Sequence, residues 1–111
     1  MHNENHNEKA SRTQCQRILA CLMSGETLTS LEAVKRFQTL RLASRIHDLR
    51  ASSDELFDDI RKVRVKDAAT GKQYDAYYSA KAIEESCGIL FPSDELVKQV
   101  ALRKTMSRIN N

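Results

Sequence analysis

The sequence predicts a mainly α fold with a small β-hairpin: a three-helix core, a hairpin after it, and an extra C-terminal helix or helices. Two observations carry this prediction. In the first half of the chain, apolar residues recur three and four positions apart, which is the spacing of helices that bury one face. From about Ile60 the pattern changes to alternation of apolar and polar residues, which is typical of strands.

The first helix is predicted over residues 11–24. Ile18 and Leu22 lie four positions apart and share a face, and Gly25 is a typical residue to end the helix. Residues 1–10 are rich in Asn and Glu and have almost no apolar side chain. We therefore expect them to form a disordered leader.

The second helix is predicted over residues 29–37. The side chain of Thr29 can accept a hydrogen bond from the amide three residues on, and Glu32 can reach back, which together form a capping box. The apolar face of this helix consists of Ala33, Val34 and Phe37.

The third helix is predicted over residues 40–51, with Thr39 as its N-cap. Leu42, Ile46 and Leu49 fall on one stripe. The opposite side carries polar groups, and two arginines border the stripe: Arg41, Ser44, His47 and Asp48, with Arg45 and Arg50 at the edges. A short helix that is anchored by aliphatic residues and presents arginine and small polar groups can enter a DNA major groove.

The hairpin is predicted over residues 60–66 and 73–78. Val63 and Val65 alternate with basic residues in the first strand, and Gly71 lies in a polar turn. In the second strand Tyr74, Ala76 and Tyr78 share one face. The order of three helices followed by two strands describes a winged helix-turn-helix, in which the hairpin is the wing.

Two helices are predicted after the hairpin, one over residues 79–87 and one that Ser93 caps. The apolar residues of the last helix lie on two sides, Leu96, Val97, Val100 and Ala101 on one and Leu102, Met106 and Ile109 roughly opposite. Either the end frays, or the second patch contacts something outside the domain, for example in a homodimer through residues 89–109. The predicted division is thus a leader 1–10, a winged helix-turn-helix domain 11–78 and a C-terminal helical extension 79–111.

Charge is distributed unevenly along the 111 residues, although the net charge is only +3. Residues 9–53 hold eight basic and three acidic side chains, residues 54–59 hold four acids and no base, and residues 60–74 hold five basic groups and one acid. The positive charge is thus concentrated in the segments where a nucleic-acid footprint would need it, with acids between them. A mixed surface without a partner fits the same pattern.

No run of about 18 apolar residues is present, so we expect no membrane span. The first residues lack the basic-then-apolar order of a signal peptide, which favours a cytoplasmic protein. The three cysteines are odd in number and widely spaced. That spacing suits neither a disulfide framework nor a zinc site, and we expect no metal and no cofactor.

With helix-turn-helix and wing both predicted, the chain resembles the phage-type winged helix-turn-helix family. The resemblance runs from about Arg17 to Tyr78 and is densest in RILACLMSGETLTSLEAVKRFQTLRLASRIHDLR. It implies binding of double-stranded DNA. Two positions depart from the family pattern. Family members often have a glycine after the aromatic residue that ends the second helix, and another glycine after the third helix. This chain has Gln38 at the first position and Ala51-Ser52-Ser53 at the second.

Arg41 and Ser44, near the start of the third helix, are the predicted contacts to base edges. His47 and Asp48 share their face. Asp48 accepts from a cytosine amino group or holds a neighbouring arginine in place, and we favour the second role. Arg45 either contacts phosphate or lays its stem on the core and pairs with an acid.

The other predicted DNA contacts are cations that meet phosphate without distinguishing sequence. They are Lys35, Arg36 and Arg50 in the helices and Lys62, Arg64, Lys66 and Lys72 in the wing. As an alternative, Arg41 is simply a solvated surface arginine. The wing cations, likewise, serve only to protect an edge strand from pairing.

Catalysis is not expected. The only carboxylate cluster, in DELFDD at residues 54–59, has no histidine or lysine spaced to complete a site. No phosphate-cradling glycine loop or nucleophile motif is present. The competing function is a protein-interaction module, an adaptor or inhibitor with a host protein partner, in which the acidic segments mimic nucleic acid or dock a basic protein.

Overall fold

The computed structural model describes the backbone of residues 3–110 and the side chains of residues 12–102. Within that part the chain forms six helices and three strands. In chain order they are α1 (Asn3–Met23), β1 (Leu28–Thr29), α2 (Ser30–Phe37), α3 (Leu42–Ser52), α4 (Asp54–Asp59), β2 (Ile60–Lys66), β3 (Gln73–Ser79), α5 (Ala80–Cys87) and α6 (Asp94–Asn110). The predicted fold class is confirmed.

The first helix begins earlier than predicted. α1 starts at Asn3 instead of Ser11, so it extends into the segment that was expected to be a disordered leader. No glycine or proline lies between Asn3 and Ser11 to stop a helix from extending backward. At the other end, Gly25 has a φ of +90°, and a Cβ there would lie 2.9 Å from the Cβ of Ser86 in α5. Glycine therefore ends α1 and also lets α5 approach.

The predicted capping box of α2 is confirmed. Thr29 Oγ1 accepts from the amide of Glu32 at 3.2 Å, and the carboxylate of Glu32 accepts from the amide of Thr29 at the same distance. α2 ends in a left-handed residue, as family members with glycine would, but the residue is Gln38 with a φ of 52°. The turn is thus formed at the cost of strain in a side-chain-bearing residue.

The prediction that Thr39 caps the third helix is wrong. α3 begins at Leu42, and Arg41 is its N-cap without any side-chain cap hydrogen bond. Thr39 is only 6% exposed and lies two residues before the N-cap, and its hydroxyl accepts from the amide of Arg41 itself at 3.1 Å, not from an amide in the first turn of α3. The apolar stripe is as predicted, since Leu42, Ile46 and Leu49 are all buried.

The acidic segment DELFDD forms a short helix, α4, that was not predicted. Ser53 Oγ accepts from the amide of Leu56 at 3.1 Å and caps it. Asp54 and Glu55 lie in its first turn, where negative charge is favourable. The chain therefore passes from α3 to the wing through a helical turn and not through an open loop.

The wing is part of a three-stranded antiparallel sheet with the order β1-β3-β2. β2 and β3 match the predicted strands, with Lys62 opposite Tyr77 and Arg64 opposite Asp75. β1 was not predicted, because two residues are too few to show alternation. It pairs with β3 through Leu28 opposite Tyr77.

The two faces of this sheet bury different sets of residues. Ile60 on one face joins the core of the three-helix unit, whose buried members include Ile18, Leu22, Ala33, Phe37, Leu42, Ile46 and Leu49. The other face packs under the C-terminal helices in a second cluster of Val63, Val65, Ala76, Tyr78, Ile83, Val97 and Ala101. The C-terminal extension therefore covers one side of the wing. Leu102, which was predicted to lie on the opposite side of α6, packs against this second cluster together with Val100. The other residues of the predicted second apolar patch, Met106 and Ile109, lie outside the described side chains.

Candidate nucleic-acid interface

The outer side of α3 carries small and polar side chains. Ser44, His47 and Asp48 are exposed, as are Ala43 and Ala51 beside them. Because Leu42, Ile46 and Leu49 fix the opposite side in the core, the helix presents a narrow surface. A surface of that shape can approach the floor of a major groove closely.

Arg41 lies at the start of this surface and is exposed. Its backbone amide donates to Thr39 Oγ1, which fixes the main chain. Its guanidinium has no hydrogen-bond or ion-pair partner within the described part of the chain. The group is therefore available to a ligand without breaking an existing contact.

Arg45 and Asp48 contact each other. The guanidinium of Arg45 lies 3.5 Å from the carboxylate of Asp48 and also donates to Gln14 Oε1 in α1 at 3.1 Å. The side chain of Arg45 is only 19% exposed. Of the two predicted roles for Arg45, this geometry favours the stem on the core with an acid as partner.

Arg50 binds the backbone of α4. Its Nε and one terminal nitrogen both donate to the carbonyl oxygen of Phe57 at 3.1 Å, and the guanidinium lies 4.5 Å from the centroid of the Phe57 ring. A cation stacked on an aromatic face and bonded twice to a carbonyl is held in place. The predicted phosphate contact through Arg50 would have to compete with these three interactions.

The two basic residues of α2, Lys35 and Arg36, differ in whether a protein group already binds the side chain. Arg36 forms a 3.1 Å ion pair with Glu26, donates to Cys21 Sγ at 3.5 Å, and lies over the ring of Phe37. Lys35 is exposed, and its ammonium has no partner among the described side chains. Lys35 is thus the better candidate for a phosphate contact.

The cations of the wing form two groups, those that contact Asp75 and those that do not. This carboxylate lies 3.2 Å from Arg64 and 3.9 Å from Lys62, so it offsets part of their charge. Lys66 and Lys72, at the far end of the hairpin, are exposed and have no acidic partner within the described residues. The unpaired charge of the wing is therefore concentrated near its tip.

The wing and α3 border one groove. Ile60, Lys62, Arg64 and Lys66 share a sheet face by their alternation. On this face Ile60 and Tyr77 pack with the three-helix core, whereas the three cations are exposed. A groove of about 520 Å³ lies between α3, α4 and the wing. Its lining includes Ala43, His47, Asp58, Lys62 and Tyr77. Burial, and then the charge of Asp75, raise the pKa of Tyr77, so its hydroxyl stays a neutral donor.

Negative charge is concentrated beside the other end of α3. The side chains of Asp54, Glu55 and Asp58 are exposed on α4, which packs directly against α3. Carboxylates within about 10 Å of a phosphate backbone repel it at physiological salt. The N-terminal half of α3 is therefore the half that a polyanion can approach.

Leu40 is one exposed residue at this end that the sequence patterns did not single out. It is 90% exposed, in the connection between α2 and α3. The pattern held a sign of this, because Leu40 lies two positions before Leu42 and so falls off the apolar stripe.

The cysteines take part in packing. Cys21 is buried in the helical core and Cys15 packs against it. Burial is the main cause of the raised pKa of the Cys15 thiol. Among the described residues no group of three or more His, Cys, Asp or Glu side chains is placed to hold a metal ion. No helix in the described part has the length and apolar character needed to cross a membrane.

Three core helices, a hairpin beside the third helix and unpaired cations on both define a winged helix-turn-helix of the DNA-binding type. The sequence model of the winged helix-turn-helix domain family matches residues 13–82, and the chain belongs to that family. No curated protein and no solved structure matched the chain. Winged helix domains are typically non-enzymatic DNA-binding modules, and DNA is the partner that this membership supports.

Proposed function

We propose that this protein binds double-stranded DNA sequence-specifically, with α3 in the major groove and the β2–β3 hairpin on the phosphate backbone. The observation that carries the proposal is the N-terminal half of α3. There an unpaired Arg41 and the exposed Ser44 project from a narrow helix surface. Unpaired lysines lie on both sides of that surface, in α2 and in the wing.

In this proposal Arg41, Ser44 and His47 contact base edges. Arginine can bind guanine with two hydrogen bonds, and serine can bond to several bases. Lys35, Lys66 and Lys72 meet phosphates and fix the orientation of the domain. Arg36, Arg45, Asp48 and Arg50 mainly maintain the surface, because each already has a protein partner.

The biological role goes one step further. We propose a cytoplasmic transcription regulator of a bacteriophage or mobile element, on the strength of the resemblance in RILACLMSGETLTSLEAVKRFQTLRLASRIHDLR. A homodimer through residues 89–109 would double the recognised site and give it two-fold symmetry.

The test is selection of bound duplexes from a random library, followed by affinity measurements on the selected and a scrambled duplex across salt concentrations. We expect an enriched sequence and a steep fall of affinity with salt, because each phosphate contact releases counterions. Selection without enrichment, or binding that salt does not change, would contradict the proposal.

One observation favours a second function, that of a protein-interaction module. Ile89, Leu90 and Phe91 are consecutive and exposed by 48%, 77% and 87%. An apolar run of that kind is typical of a contact with another protein. If this were the main function, the substitutions Leu90→Ser and Phe91→Ser would abolish partner binding, while the duplex experiment would give no enriched sequence.

A further inference from the structure

Leu40 is held out into solvent by a turn that is fixed on both sides. Before it, the amide of Gln38 donates to the carbonyl of Val34 at 3.1 Å. Thr39 is buried, and its hydroxyl binds the amide of Arg41 on the other side of Leu40. Hydrogen bonds thus hold the backbone before and after Leu40, and in this turn its side chain is 90% exposed.

The position of Leu40 relates it to the DNA-facing end of α3. It directly precedes Arg41, the N-cap, and lies two residues before Leu42, where α3 begins. In the proposed orientation of α3, the exposed Leu40 is the residue directly before Arg41 and therefore lies close to the same groove. The exposed Lys35 and Ser44 lie five residues before and four residues after it in the sequence, whereas the acids of α4 follow the opposite end of the helix.

The chemistry of leucine restricts what it can recognise there. It has no hydrogen-bond donor or acceptor and therefore cannot bind the polar edges of guanine, cytosine or adenine. The 5-methyl group of thymine is the one apolar group that the bases present in the major groove. We infer that Leu40 contacts a thymine methyl group and so determines a base pair close to the one that Arg41 recognises.

This inference rests on the proposed function, and it is tested on the duplex that the selection yields. Each thymine is replaced in turn by deoxyuridine, which removes the methyl and leaves the hydrogen-bonding edge intact. Affinity is measured for the natural protein and for Leu40→Ala. Leu31→Ala is the matched control, because Leu31 is also an exposed leucine, on α2.

We expect one thymine at which deoxyuridine lowers affinity. It should lie within about two base pairs of the position whose base preference is lost in the Arg41→Ala variant. Burial of one methyl predicts a loss of about fourfold. Leu40→Ala should lose affinity for the thymine duplex and no longer distinguish thymine from uracil, whereas Leu31→Ala should keep the full difference. The natural protein should bind a duplex with 5-methylcytosine at the same position more tightly than a duplex with cytosine there.

Two results would overturn the inference. If the natural protein binds every deoxyuridine duplex as tightly as the parent, or if Leu40→Ala keeps the thymine preference, Leu40 does not contact a methyl group, while the proposed function stands. A selection without any enriched sequence would instead overturn the proposed function and this inference together. Circular dichroism of Leu40→Ala should be unchanged, because the side chain makes so little contact with the protein.

Discussion

The two ends of α3 have the same helical backbone but different surroundings. At the N-terminal end Arg41 is exposed, lacks a side-chain partner in the described structure, and follows an exposed leucine. At the C-terminal end Arg50 is stacked on Phe57 and bonded to its carbonyl, with the acids of α4 close by. An arginine on the polar side of a recognition helix is thus not by itself a DNA contact, because its protein partners decide whether it is available.

The largest effect should come from Arg41→Ala. A two-bond contact to guanine is worth about 1–3 kcal/mol of discrimination, so affinity for the selected duplex should fall by about 5- to 150-fold. Affinity for a scrambled duplex should change little. Fluorescence anisotropy with both duplexes measures the ratio of the two affinities. Equal losses of affinity on the two duplexes would show that Arg41 contacts only phosphate.

The matched substitution at the other end is Arg50→Ala. It removes two hydrogen bonds to the Phe57 carbonyl and one stacking contact. We expect the free energy of unfolding to fall by about 1 kcal/mol. The specificity ratio between selected and scrambled duplexes should stay as it is. Urea unfolding gives the first quantity, and a collapse of the ratio with unchanged stability would make Arg50 a base contact.

The wing allows a pair of opposite changes. Lys72→Ala removes an unpaired cation and should weaken binding to selected and scrambled duplexes alike, by a few-fold, with the salt slope reduced by about 1. Asp75→Asn should strengthen both by a similar factor, because it frees Lys62 and Arg64 from the carboxylate that they now contact. If neither substitution moves the salt dependence, the wing does not touch DNA.

The smallest effect concerns the turn that sets the start of α3. Gln38→Gly relieves a left-handed conformation that costs about 1–2 kcal/mol for most residues, but glycine has more freedom to lose on folding. The net gain in the free energy of unfolding should be about 0.5 kcal/mol, with unchanged duplex affinity. A destabilised variant would mean that the bond from the Gln38 side chain to the Lys35 carbonyl outweighs the strain.

The elements that the sequence predicted are those set by neighbouring residues. The capping box of Thr29 and Glu32 and the alternation of Val63 and Val65 are local, and both are present in the structure. β1 escaped prediction because its two residues are too few to show alternation and its pairing partner, Tyr77, is far along the chain. The helix formed by DELFDD was not predicted, because four of its six residues are acidic and the segment shows no apolar periodicity.

The candidate site was predictable as a surface, but the partners of its side chains were not. The apolar stripe of α3 correctly placed Ser44, His47 and Asp48 outside. The guanidinium of Arg50 is bound by the carbonyl of Phe57. Phe57 follows the end of α3 and lies in α4, a helix that was not predicted. Contacts of this kind follow from tertiary packing, and periodicity contains no information about them.

The most direct test of this account is a titration of ¹⁵N-labelled protein with the selected duplex, followed by amide chemical shifts. We expect the largest changes from residue 40 to residue 44 at the start of α3 and from residue 66 to residue 72 at the wing tip, with little change in α4 from Asp54 to Asp59. Changes centred on the C-terminal end of α3 and on α4, with residues 40–44 unaffected, would contradict the claim that the N-terminal half of α3 contacts DNA.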